Sequence, residues 1–279
     1  MSDTTDTTAV DGTVRADAQE PTVLRVLNCR PSPRPEDDWG LGHARSAGLL
    51  VAAAGATVPP SFDLREDWWA VGDQRSTGSC VGWATADSVL RWHLVKAGRL
   101  GPDEPLSVRF QWMAAKETDQ LTQRPTTFIE VEGTSVKAAL DVARKFGAVR
   151  DRDLPFGSPR LYKGTAKAFY LLASQLRIGR YVNLGRDLGE WRRWIATEGP
   201  VLTRLDVDDA WIRAADTEGV LAKYQRKGPA GHAVALVGYA RRSFVVRNSW
   251  GRRWGDEGFG YPSDAYAEAA FTEAYGVGL

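Results

Sequence analysis

The chain is poor in the residues that usually announce how a protein is held together or what it carries. Its 279 residues include two cysteines, two methionines and three histidines. Cys29 and Cys80 cannot build a disulfide framework, so a reducing compartment, the cytoplasm, is the expected setting. No run of about eighteen apolar residues occurs, which argues against a membrane-spanning helix. Neither sign of charge dominates: 36 Lys and Arg against 35 Asp and Glu leave a formal charge of +1. That balance gives no electrostatic case for nucleic acid or an anionic membrane as partner. Neither Cys-x-x-Cys nor His-Glu-x-x-His appears, so no metal site is expected. Gly40-Leu41-Gly42 lacks the preceding strand and following lysine of a phosphate loop, so no nucleotide cofactor is expected either.

What is there is ordinary globular material. An apolar content of 43% and a charged content of 25% fit one large or two modest domains with a sizeable core. Residues 1–20 are rich in Asp, Thr and Ala without the basic-then-apolar order of a secretion signal, and read as a disordered tail. Residues 21–58 mix Val23, Val26, Leu27, Trp39 and Leu41 with proline and acid. A free linker seldom carries that apolar content, so this leader is expected to pack on the domain that follows, with restriction of its cleft as one outcome.

Beyond the leader, helices come first and strands later. Apolar spacing and breakers mark helices over 80–97, 134–146 (capped by Thr134 or Ser135 and ended by Gly147), 165–176 and 188–197. Residues 201–207, 232–239 and 244–247 read as strands. Helices followed by strands argue an α+β fold with segregated halves.

The chemistry concentrates at three places. Cys80 follows the Gly78-Ser79 turn and opens a helix, where unpaired N–H groups and the dipole favour a thiolate. Most lone cysteines are small buried core residues; the company of Gln74, His232 and Asn248 separates this one from them. His93 lies in the same helix, roughly 20 Å along the axis from Cys80 and out of reach. His43 sits in the leader without supporting context, which leaves His232 as the base. Folding the two strands about residue 240 or 241 sets His232 opposite positions 248 to 250, within reach of Asn248. Thiol, imidazole and orienting amide are the parts of a cysteine-nucleophile acyl-transfer site.

The order and flanks of Gln74-Arg75-Ser76-Thr77-Gly78-Ser79-Cys80, Gly231-His232-Ala233 and Asn248-Ser249-Trp250-Gly251 resemble the papain family of cysteine peptidases. The resemblance runs from Ser61 to the C-terminus and looks like a bacterial-type member without the usual long prodomain. It implies a two-lobed α+β fold over 59–279, a helical lobe over about 74–177 and an antiparallel β-barrel-like lobe over about 178–279, with the active site in the cleft between them. By the same resemblance Cys80 attacks a peptide carbonyl, His232 carries the proton, Asn248 orients the imidazole, and Gln74 with the Cys80 N–H holds the oxyanion. Gly78 and Ser79 shape the turn, Gly133 leaves room for substrate backbone, and Trp250 shields the His232–Asn248 pair. Thr77, Val81 and Gly231 depart from the usual half-cystine, aromatic and polar residues, at positions that perform no chemistry. A peptide or protein substrate and no cofactor are implied. Transfer of the acyl group to an amine, or a catalytically silent peptide-binding module, remain open alternatives.

Overall fold

A computed structural model describes residues 13–16, 23–50, 58–120, 133–225 and 230–279. Its strands are β1 (Thr13–Ala16), β2 (Val23–Val26), β3 (Ser61–Asp63), β4 (Arg180–Asn183), β5 (Val201–Asp206), β6 (Val220–Leu221), β7 (Gly231–Ala240), β8 (Ser243–Arg247), β9 (Phe259–Pro262) and β10 (Phe271–Gly278). The strand expected at 232–239 is the hub of the sheet. β7 pairs with β5, β8 and β3, and every residue of it but the last is buried. Covered on both faces, it reads as a continuous apolar run rather than an alternation.

The barrel-like lobe is not found. Eight strands form an open mixed sheet in the order β4-β10-β5-β7-β8-β9-β6, with β3 off the path on β7 and β6–β9 its parallel pair. Closure would require β4 to meet β6, but β6 has only two residues. The outer edge of β4 is instead taken by the leader, with Asn183 N–H donating to the Trp39 carbonyl at 2.8 Å. A two-stranded ribbon, β1 with β2, stands apart from this sheet. It places residues 13–16 in a strand within the stretch expected to be a disordered tail; the remainder of 1–20 lies outside the described residues.

The helical half follows its caps. The helix Val136–Lys145 starts at Ser135, whose hydroxyl accepts from Ala138 N–H at 3.2 Å, and stops at Gly147, held at φ +102°. Thr165 and Asp187 cap Ala166–Ser174 and Leu188–Thr197 in the same way. The helix expected over 80–97 runs continuously over 80–96, but its middle, Trp83–Leu90, is π-helical. The helix Val108–Gln120 was not expected from the sequence. Its cap, the Ser107 hydroxyl accepting from Phe110 N–H, is ordinary; buried Arg109, Gln111 and Lys116 break its apolar stripe.

A buried cation joins the helical half to the sheet. Arg247, at the end of β8 and 1% exposed, donates to the Ser88 hydroxyl at 2.7 Å and the Ala70 carbonyl at 2.5 Å. It also pairs with Asp87 at 2.8 Å. Ser88 and Asp87 belong to the 80–96 helix, so the strand that leads to Asn248 is tied to the helix that starts at Cys80.

His93 on that helix is buried, and burial, followed by the nearby Arg180 charge, lowers its pKa to about 4. Its folded-state pKa is depressed, so the unfolded chain binds the proton first and stability falls as pH drops from about 6.5 toward 4. Acidification from neutrality to about pH 5 should cost roughly 2 kcal/mol through this residue alone. Urea unfolding of wild type and His93→Leu at both pH values measures it. The leucine variant should lose less on acidification, and an equal loss would clear His93 of the effect.

Candidate active site

The Cys80 side chain, fully buried at the start of the long helix, faces the first residues of β7. Three groups neighbour its sulfur: the Cys29 thiol, the His232 imidazole and the Ala233 backbone N–H. These contacts, the Cys29 thiol first, hold the Cys80 pKa well below that of an ordinary thiol, outweighing the burial that opposes them. Burial above all pushes the Cys29 thiol the other way. The Cys29 thiol donates to the Arg30 carbonyl at 3.8 Å.

His232 Nε2 and Asn248 Oδ1 lie 2.8 Å apart, which leaves Nδ1, buried and without a hydrogen-bond partner, as the ring nitrogen open to a thiol proton. The β7–β8 register, with its irregularity between Leu236 and Gly238, carries His232 to the level of Trp250 and places Asn248 on the diagonal. Asn248 Oδ1 also accepts from Ser249 N–H at 2.8 Å, which fixes the amide. Trp250 covers the imidazole at 5.1 Å between ring centroids. Trp211 meets it edge-on at 5.8 Å and packs on Trp254 at 4.7 Å. Aromatic rings on two sides keep water from the His232–Asn248 bond.

Gln74 is fully buried beside this group. Its Oε1 accepts from the Ser249 hydroxyl at 2.8 Å, its Nε2 donates to the Thr77 carbonyl at 2.9 Å, and its backbone N–H donates to the Ser249 carbonyl at 2.7 Å. The amide is thereby oriented with its nitrogen toward the 77–80 turn. Ser79 turns inward, its hydroxyl 2.6 Å from that of Thr77.

The leader crosses this site in extended form. Arg25, Leu27 and Cys29 are buried alternately along it. Arg25 donates to Asp73 at 2.6 Å and to the Trp250 carbonyl at 2.9 Å, with its guanidinium 5.5 Å over the Trp250 ring. Cys29 N–H donates to the Gly231 carbonyl and Arg30 N–H to the Thr134 carbonyl, each at 3.0 Å, so the strand bonds to both walls. Arg204 donates to the Cys29 carbonyl at 3.1 Å, and Glu273 accepts from Ser32 N–H at 2.8 Å. Glycines make the approach possible. A Cβ on Gly133 would stand 1.8 Å from the Asn28 carbonyl oxygen, and one on Gly78 2.3 Å from the Asn28 amide.

Every residue singled out in the sequence for this site is therefore found around one cleft: Cys80, His232, Asn248 and Gln74 at its centre, Gly78 and Gly133 against the leader, Ser79 beneath, Trp250 above. His43 lies away from it, its Nδ1 accepting from Gly40 N–H. Ser249, Trp211 and the Arg25–Asp73 pair were not foreseen. Ser249 neighbours Asn248 in sequence; the other contacts join segments far apart and leave no local signal. Among the described residues no group of His, Cys, Asp and Glu could hold a metal ion, and no helix is long and apolar enough to cross a membrane.

Residues 58–270 match the family model described as papain family cysteine protease. Macrodontain-1 from Ananas macrodontes is 26% identical over 211 residues, 72% of this chain and 87% of that protein. The viral cathepsin of Epiphyas postvittana nucleopolyhedrovirus is 21% identical over 72% of this chain, which spans only 59% of that longer protein. Among solved structures, xylellain, a cysteine protease from Xylella fastidiosa, superposes with a TM-score of 0.72 at 19% identity, covering 90% of this chain and 95% of its own. At that identity the likeness speaks for the fold.

Proposed function

Because the chain belongs to the papain family of cysteine proteases, we propose that it hydrolyses peptide bonds through Cys80, with His232 as acid and base, Asn248 as orienter and Gln74 as oxyanion donor. The observation that carries this is one constellation: the His232 imidazole neighbours the Cys80 sulfur and is held through Nε2 by Asn248 Oδ1 at 2.8 Å. The thiolate attacks the carbonyl carbon, and the oxyanion takes hydrogen bonds from Cys80 N–H and the second Nε2 hydrogen of Gln74. His232 then gives its proton to the leaving amine, and the C–N bond breaks to leave a thioester. Water, deprotonated by His232, opens the thioester and regenerates the thiol.

The leader belongs to the same proposal. Lying against Cys80, Gly78, Gly133 and Gly231, it occupies the space a substrate backbone needs, so the full chain works once residues 25–32 leave the cleft. A reducing, cytoplasmic setting for the two free thiols completes it.

Cleavage of a peptide library, read by mass spectrometry with and without an added amine nucleophile, tests the reaction. Free carboxyl termini under both conditions support hydrolysis. Amine adducts as the main product support transfer, and uncleaved peptides bound to the protein support a silent module. Gln74→Ala should lower kcat by roughly 10²-fold with little change in KM. An unchanged kcat would remove Gln74 from the oxyanion site.

A further inference from the structure

The leader places the chain's second cysteine against its first. Cys29 and Cys80 are the only two cysteines in the chain, 3% and 0% exposed. Asn28 lies against Gly78, two residues before Cys80, Cys29 N–H bonds Gly231 beside His232, and each thiol shifts the other's pKa. Nothing in peptide hydrolysis requires a thiol at position 29; a leader that merely filled the cleft could carry any small residue there. The backbone on either side of that thiol is gripped, by Gly231 at the N–H and by Arg204 at the carbonyl, which fixes Cys29 against the start of β7.

We propose that Cys29 and Cys80 are a reversible oxidation site, joined by a disulfide that staples the leader into the cleft and keeps the peptidase shut under oxidising conditions. This rests on the reading of Cys80 as nucleophile. The oxidant is a peroxide. The Cys80 thiolate attacks one peroxide oxygen, the O–O bond breaks, and hydroxide leaves and is protonated to water, giving the sulfenic acid. Cys29 sulfur then attacks the Cys80 sulfur as the S–O bond breaks, and the hydroxide released takes the Cys29 proton as a second water. Two thiols are oxidised by two electrons and one peroxide is reduced to two waters. A small-molecule thiol reverses the bond by exchange, returning both cysteines to the reduced form.

The division of labour between the sulfurs fits this sequence. The anionic sulfur, Cys80, is the one that reacts with peroxide, and the protonated one, Cys29, waits beside it to resolve the product. A disulfide needs its sulfurs about 2.05 Å apart, which the Cys29 thiol reaches by turning from the Arg30 carbonyl to its Cys80 neighbour. Rapid resolution also protects the nucleophile, because a sulfenic acid left unpaired oxidises irreversibly to the sulfinic acid. A cysteine in the leader thereby turns a lethal oxidation into a stored state.

The test is made on the full chain with hydrogen peroxide. Denatured wild type should show two reactive thiols before treatment, none after it, and two again after dithiothreitol, with an intact mass lower by about 2 Da in the oxidised form. Non-reducing digestion should yield one cross-linked peptide pair containing residues 29 and 80. Cys29→Ser should give no such pair and about tenfold more Cys80 sulfinic acid than wild type at equal peroxide, not recovered by dithiothreitol. Wild type that accumulates sulfinic acid at Cys80 without the cross-link overturns the proposal, as does equal recovery of both proteins. Thiol counts and mass do not depend on turnover, so a cross-link in the full chain, with no cleavage by either the reduced full chain or a folded chain that begins near Val58, would sink the peptidase reading and leave the disulfide standing.

Discussion

Cys80→Ala is expected to produce a folded protein with no measurable peptide hydrolysis, a loss of at least about 10⁴-fold in kcat. In the proposed mechanism this sulfur forms the thioester, and Cys29 is no substitute, because burial above all pushes its thiol up while the surroundings of Cys80 hold that thiol down. The fold should survive. Alanine removes one buried atom next to the helix start, a change of the order of 1 kcal/mol, far less than a large core truncation. His232→Ala should be nearly as damaging, because residues that act as one unit are not additive. Circular dichroism and urea midpoints establish folding, and hydrolysis of a fluorogenic peptide establishes activity. Wild-type turnover in folded Cys80→Ala would refute the mechanism, and damage of that size from His93→Ala in a folded protein would overturn the choice of base.

Loosening the leader should work in the opposite direction. Arg25 anchors it through Asp73, the Trp250 carbonyl and the Trp250 ring. Arg25→Glu puts a second negative charge against Asp73 and removes all three contacts, so the leader should leave the cleft more often. If the bound arrangement is favoured by a few kcal/mol, weakening it by about 1.4 kcal/mol raises the open fraction tenfold, and kcat/KM of the full chain with it. A chain that begins near Val58, where the family match starts, should match or exceed that gain. Equal kcat/KM for wild type and both variants, all folded, would reduce the leader to a structural strap. A truncated chain that fails to fold would point to the same role, with Arg25→Glu deciding between them.

How much of this could be read in the sequence depended on how local each signal was. The His232–Asn248 meeting was legible because two apolar strands and a short polar turn at 240–242 constrain each other. The irregularity between Leu236 and Gly238 was not, since a one-residue shift leaves no mark in composition. The cap at Ser135 announced its helix through one side chain bonded to a backbone N–H close by. The helix Val108–Gln120 hid because its buried face carries Gln111 and Lys116. The open sheet was missed because β10 runs through Phe271-Thr272-Glu273-Ala274, residues that read as readily as helix, and because the far edge of β4 is closed by the leader. The route of Asn28 and Cys29 through the cleft was beyond reach: their partners lie at Gly78, Cys80, Gly133 and Gly231, and distant pairings leave no periodicity.

Arg247 bears on how the enzyme fails. Its guanidinium ties Ala70, Asp87 and Ser88 to the residue just before Asn248, so a buried cation helps set the spacing between the Cys80 helix and Asn248. Losing one partner of such a pair strands a charge in the core, at about 3–5 kcal/mol, so the link has no inexpensive half-broken state. Heat or denaturant should therefore not yield a loosened enzyme with a splayed cleft and partial activity. Catalytic competence and the fold itself should disappear in one transition, with a sharp threshold where a flexibly hinged protease would fade by degrees.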